Sequence, residues 1–225
     1  MGNEAGPVGS KTEDPGNSMK ADPSTDAVEA AQDTIGLERL VFFSDAVFAI
    51  AVTLLALEIR LPVLGEPVTN ADLAQVLLGM WPKYLGYGFS FFAIGIIWIG
   101  HHRKFRHIRR YDSIFLLLNL FFLMAIAFIP FPSSVIIEYG NQAATIFYAL
   151  VIALTGLLSL ILWWYASHRN RLTDPHMEKQ KRRGEIWGSL VVSGVFLLSI
   201  PLTLVDNTLA KLSWALVAIA VRFMH

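Results

Sequence analysis

Six uninterrupted apolar stretches, at about 40–59, 84–100, 113–137, 143–166, 186–205 and 208–224, dominate the 225-residue chain. Each is close to the roughly 20 residues that a helix needs to cross the hydrocarbon core of a bilayer. Inside lipid every backbone N–H and C=O must find an internal partner, and these runs lack the alternation of a barrel strand. The expectation is therefore an all-α membrane protein with six transmembrane helices per chain. The sixth stretch is the least apolar, because it holds Lys211 and Arg222. A soluble globule is excluded by composition, 54% hydrophobic against 16% charged residues with a mean hydropathy of +0.51.

Residues 1–34 read differently. They are rich in Gly, Pro, Ser and acidic residues and hold no aromatic side chain, so they are expected to form a disordered cytoplasmic tail ahead of a membrane domain at 35–225. Gly6 stands where a myristoylation motif wants Ser or Thr, and no lipid anchor is expected.

Charge gives orientation. Arg103, Lys104, Arg106, Arg109 and Arg110 follow the second stretch, and Arg169, Arg171, Lys179, Lys181, Arg182 and Arg183 follow the fourth. With Lys11, Lys20, Arg39 and Arg222, fifteen of eighteen basic residues fall on one side, leaving Arg60, Lys83 and Lys211 on the other. The positive-inside rule then puts both termini in the cytoplasm, and the expected location is the cell membrane. Eighteen basic residues balance eighteen acidic ones, so nothing marks a nucleic-acid binder.

Chemistry of other kinds has little to stand on. The chain has no Cys, which removes disulfides, thiolate metal sites and cysteine nucleophiles. The cluster His101, His102 and His107 echoes the histidine boxes of membrane di-iron enzymes but offers too few ligands. Gly86-Tyr87-Gly88 echoes a potassium filter, but it opens a span and no Thr-Val precedes it. Nucleophile-elbow, zincin and phosphate-loop motifs are missing, as are mid-span arginines, and Pro130, Pro132 and Pro201 sit near span ends. No enzyme, metal or cofactor is expected.

The first span is unusual in its polar content. It carries Ser44 and Asp45 near its start, Thr53 in the middle and Glu58 at its far end. At 100° per residue, Val47, Ile50, Leu54, Leu57 and Leu61 form a narrow apolar seam beside a stripe of small residues, Ala46, Ala49, Thr53 and Ala56. Such a pattern fits ordinary helix packing, but an acid at Asp45 needs a partner from another helix or a wet vestibule. Trp98, His101 and Phe105 share one face of the second span at the same depth as Ser44 and Asp45, which allows a hydrogen-bonded cluster between the two helices.

At Arg39-x-x-x-Phe43-Ser44-Asp45 the sequence resembles the endosomal and lysosomal potassium channel family, transmembrane protein 175, in its short bacterial members. The likeness extends over about residues 37–224 through Trp98-x-x-His101, Asn119 and Pro130-Phe131-Pro132. The resemblance implies a symmetric homo-oligomer, four chains in the bacterial members, whose first helices surround a central pore that passes potassium ions passively. It implies a constriction at Ile50, Leu54 and Leu57, with Thr53 as a candidate ion contact, and a structural polar network of Arg39, Phe43, Ser44, Asp45, Trp98, His101 and Asn119. The alternative is a proton- or cation-coupled secondary transporter using Asp45 and His101 as titrating groups. A third reading has the basic loops binding anionic lipid or a partner without ion flux.

Overall fold

A computed structural model describes Gly2, residues 23–65 and residues 67–217, with side chains from 32 onward in the first helix. Among the described residues there are eight α-helices: α1 (Pro23–Leu57), α2 (Asn70–Gly79), α3 (Trp81–Phe105), α4 (Ser113–Phe128), α5 (Pro130–Tyr139), α6 (Gln142–Ser167), α7 (Lys179–Leu202) and α8 (Asn207–Ser213). Among the described residues, five segments are long and apolar enough to span a bilayer: Gln32–Leu57, Trp81–Phe105, Ser113–Tyr139, Gln142–Asn170 and Lys179–Leu202. The chain is an all-α membrane protein.

Three boundaries differ from the sequence expectation. Helix α1 already begins at Pro23, inside the stretch expected to be disordered, and residues 3–22 lie outside the described residues. Low apolar content denies this stretch a core, but Ala, Glu and Gln after a proline at the first helical position still favour helix. The third stretch is two helices, α4 and α5, divided at Ile129. Pro130 and Pro132 bring no N–H to the ladder, and the Ile129 N–H closes a tighter turn onto the Ile126 carbonyl at 3.1 Å. Of the expected sixth span, α8 and a further turn to residue 217 are described, and 218–225 lie outside.

Helix α2 is an addition that the run of apolar stretches did not reveal. Thr69 caps it by accepting from the Asp72 N–H at 3.2 Å, while the Asp72 carboxylate accepts from the Thr69 N–H at 3.0 Å. It buries none of its residues within the chain.

The core gathers around α6, the most deeply buried of the five long segments. Tyr148, Ile152 and Trp163 on α6 are sealed from solvent, together with Ile94 of α3 and Phe122 and Ile126 of α4. Helices α6 and α7 approach closely because Gly156 presents no side chain: a Cβ there would collide with Ser193 Oγ on α7. At the opposite end from the basic loops, Gly140 closes α5 in the left-handed region, φ 56°, and its carbonyl accepts from Asn207 at 2.8 Å and Lys211 at 2.7 Å.

The two basic loops are tied to each other. Arg109 N–H donates to the Leu172 carbonyl at 2.8 Å, and Ile108 pairs with Thr173 as an antiparallel bridge. Asp112 caps α4 by accepting from the Phe115 N–H at 2.8 Å, accepts from the Tyr165 hydroxyl at 2.7 Å and pairs with Arg171 at 3.3 Å.

Candidate functional site

Helix α1 has two unlike faces. Ser44, Phe48, Ala51 and Leu55, spaced at four, three and four residues, are 3% exposed or less and pack against α3 and α4. On the other face Ile50 is 58% exposed, Leu54 39% and Leu57 70%, and Thr53 beside them is exposed as well. Val47, placed on the seam by periodicity, is half-buried and packs into the core, so the open strip is narrower at that turn. Thr53 Oγ1 donates its proton to the Ile50 carbonyl at 2.8 Å. With the proton so committed, the oxygen's lone pairs are left on the open face, where they can accept from water or meet a cation.

The buried face is fixed by a polar anchor at the basic end. Asn119 of α4 lies between two helices: its Nδ2 donates to Ser44 Oγ at 3.2 Å, and its Oδ1 is 3.2 Å from His101 Nε2. Since the Asn119 oxygen can only accept, His101 is the donor through Nε2. Ser44 passes its own proton to the Leu40 carbonyl at 2.8 Å. The His101 ring stacks on Phe122, centroids 5.3 Å apart and planes within 6°, with Phe105 on another side at 4.2 Å. In parallel, Trp98 Nε1 donates to Asp45 Oδ1 at 2.8 Å. Ser44, Asp45, Trp98, His101 and Asn119 are thus brought together across α1, α3 and α4.

Arg39 and Phe43 are not brought together with them. Both are exposed, and among the described residues the Arg39 side chain makes no hydrogen bond or ion pair. The reason is helical phase: 39, 43, 46, 50 and 54 advance by four, three, four and four residues, which puts Arg39 and Phe43 on the open strip with Ile50 and Leu54. Glu58, the acid at the far end of α1, is half-buried.

One buried polar group was not singled out from sequence. Lys104, 5% exposed, donates from Nζ to Ser159 of α6 and Ser189 of α7, both at 2.6 Å, and so joins α3 to both. The serines lie among apolar neighbours in α6 and α7, and their positions give no sign of a shared lysine until the helices are packed.

This chain is similar in sequence to known channels. The endosomal/lysosomal potassium channel TMEM175 family matches residues 39–130. A potassium channel of Streptomyces collinus is 36% identical over 186 residues, covering 77% of this chain and 89% of that one. The chain belongs to the TMEM175 family. A second relative, a potassium channel of Chamaesiphon minutus, is 37% identical over 139 residues, 60% of this chain and 68% of the relative. The crystal structure of a lysosomal potassium-selective TMEM175 homolog from Chamaesiphon minutus superposes with a TM-score of 0.72 at 29% identity, over 84% of this chain and 97% of that one. The TMEM175 match begins at Arg39 and takes in the whole anchor, from Ser44 to Asn119.

Proposed function

We propose that the chain is a potassium channel of the cell membrane. Four copies set their α1 helices around a central axis, and potassium passes passively down its gradient, in preference to sodium, through an apolar constriction at Ile50, Leu54 and Leu57. The observation that carries this reading is the asymmetry of α1: a helix anchored by a buried polar network on one side leaves Ile50, Leu54 and Leu57 uncovered on the other. Rings of such side chains close a pore by dewetting and open it by a small widening. They supply no oxygens to replace a hydration shell, so preference for potassium rests on pore width and on Thr53, whose oxygen is oriented to accept, and is modest in size. The relatives' descriptions as potassium channels point the same way. Both termini and the basic loops lie in the cytoplasm.

The anchor residues hold α1 in place and do not touch the ion. Asp45 and His101, the pair that a coupled transporter would titrate, have different partners, Trp98 and Asn119. The deciding experiment is flux from liposomes holding the purified protein, potassium against sodium. Channel-rate, non-saturating flux that favours potassium is expected; slow, saturable, pH-coupled exchange would replace the channel with the transporter, and no flux would remove both.

A further inference from the structure

Away from α1, the end of α3 and the start of α7 enclose an open cleft of about 810 Å³ lined by Arg103, Arg106, His107, Lys181 and Trp187, with Glu178 and Glu185 on its wall. Its surroundings carry a strong charge imbalance: the segments 101–112 and 168–185, loops with their adjoining helix ends, hold eleven Lys and Arg against four Asp and Glu. Each of the four acids already has a cation. Asp112 pairs with Arg171 at 3.3 Å, Asp174 with Arg109 at 3.2 Å, Glu185 with Arg103 at 3.3 Å and Glu178 with Lys181 at 3.5 Å. Arg106, in the cleft, is exposed, and its guanidinium makes no hydrogen bond or ion pair among the described residues. His107 is held below the usual imidazole range chiefly by burial; of the charges around it, Glu185 raises it and Arg106, Lys181 and Arg109 lower it.

The cleft opens beside an exposed face of α7. Trp187 is 60% exposed and stands about two turns into a membrane-spanning helix, the depth at which indoles sit in the headgroup layer. Leu190, Leu197 and Leu198 continue from it as one exposed apolar strip along α7, a track for a hydrocarbon chain.

We propose that this cleft binds the phosphate headgroup of an anionic membrane lipid, held by Arg106 and by Lys181, whose exposed 3.5 Å pairing with Glu178 leaves ammonium donors for the phosphate, with Trp187 beside the glycerol backbone and an acyl chain along the Leu190–Leu198 strip. Free phosphate offers the same anionic oxygens, but it has no use for the tryptophan or the strip. The inference rests on the placement of α3 and α7 in a bilayer and not on ion conduction, so its test reads lipid binding alone.

Native mass spectrometry of the full chain in detergent, with phosphatidylglycerol or phosphatidylcholine of matched acyl chains, is expected to show preferential retention of phosphatidylglycerol. A basic residue near an anionic headgroup contributes about 1 kcal/mol, so Arg106→Gln and Lys181→Gln are each expected to lower retention roughly fivefold. Arg106→Lys should recover most of that loss, and Arg110→Gln, in the same loop but outside the cleft, should leave retention unchanged. Equal retention of the two lipids, or an equal loss for Arg110→Gln, would overturn the site in favour of diffuse surface attraction. Inorganic phosphate stabilising the protein against heat as well as phosphatidylglycerol does would overturn the lipid as occupant.

Discussion

The indole N–H of Trp98 reaches the carboxylate of Asp45 across 2.8 Å, so an acid inside the first membrane helix is answered by a neutral donor on α3 and not by a base. A carboxylate held this way needs an acceptor's geometry more than it needs its charge. Asp45→Asn, which keeps an acceptor oxygen, is expected to leave thermal stability in detergent and oligomer size nearly unchanged, whereas Asp45→Ala lowers both. Equal losses would show that the charge itself holds the helices.

Asn119 serves two partners with one amide, donating to Ser44 and accepting from His101. Asn119→Leu keeps the volume and strands the buried His101 N–H, at a cost of about 1–3 kcal/mol. The expected outcome is a clear fall in unfolding temperature, with the potassium-to-sodium flux ratio of the surviving protein unchanged. An altered ratio in a stable protein would place Asn119 next to the ion.

At the constriction, Leu54→Asn or Ile50→Asn keeps comparable bulk while wetting the ring, and each should raise cation conductance several-fold in reconstituted bilayers. Thr53→Val removes the one side-chain oxygen on the open strip at no cost in shape, and should lower preference for potassium more than it lowers total current. Currents insensitive to all three would move the pore away from α1.

Acid should weaken the basic end. Burial pushes the Asp112 carboxyl up, but the Phe115 N–H, the Tyr165 hydroxyl and Arg171 together outweigh it and hold the group below its ordinary value of 3.8. A carboxyl depressed by folding contributes stability that is fully present above its unfolded pKa and is lost as pH falls through the folded one. Unfolding temperature should therefore drop on acidification below about pH 4. Asp112→Asn keeps the cap acceptor and should flatten part of that drop; the remainder belongs to groups such as Asp174, held low by the His176 N–H and Arg109.

Gly156 sets how near α7 comes to α6. Gly156→Ala forces a methyl onto Ser193 and should cost about 1–3 kcal/mol of stability, read as a lower unfolding temperature. Adding Ser193→Ala removes the hydroxyl it meets and should return part of the loss; the rest remains because the Ser193 backbone nitrogen would still lie 3.3 Å away.

Periodicity was enough to read the long helices and the open strip of α1, because both depend on repeating apolar contacts that a linear sequence displays. Ile50, Leu54 and Leu57 could be grouped before any packing was known, and so could the depth match between Ser44, Asp45, Trp98 and His101. Where phase within a face matters, sequence is coarser: Arg39 and Phe43 belong to the same motif as Ser44 but lie about 100° or more around the helix from its buried side. Lys104 and its two serines were invisible because the partners are 55 and 85 residues distant. Helix α2 had a legible signal in Thr69-x-x-Asp72, a capping box before Leu73, Val76 and Leu77, but a search by span length passes over ten residues.

Because α1 runs without a break from Pro23 to Leu57, the contacts of its buried face, from Ser44 to Leu55, set one rotation for the whole helix. Ser44 lies ten residues, about 15 Å, from Leu54, and nothing between them can absorb a twist. Whatever fixes the azimuth of Ser44 against Asn119 also aims Leu54, and a slip of a single residue at that clasp would swing the distant leucine by about 100° and point it at a neighbour.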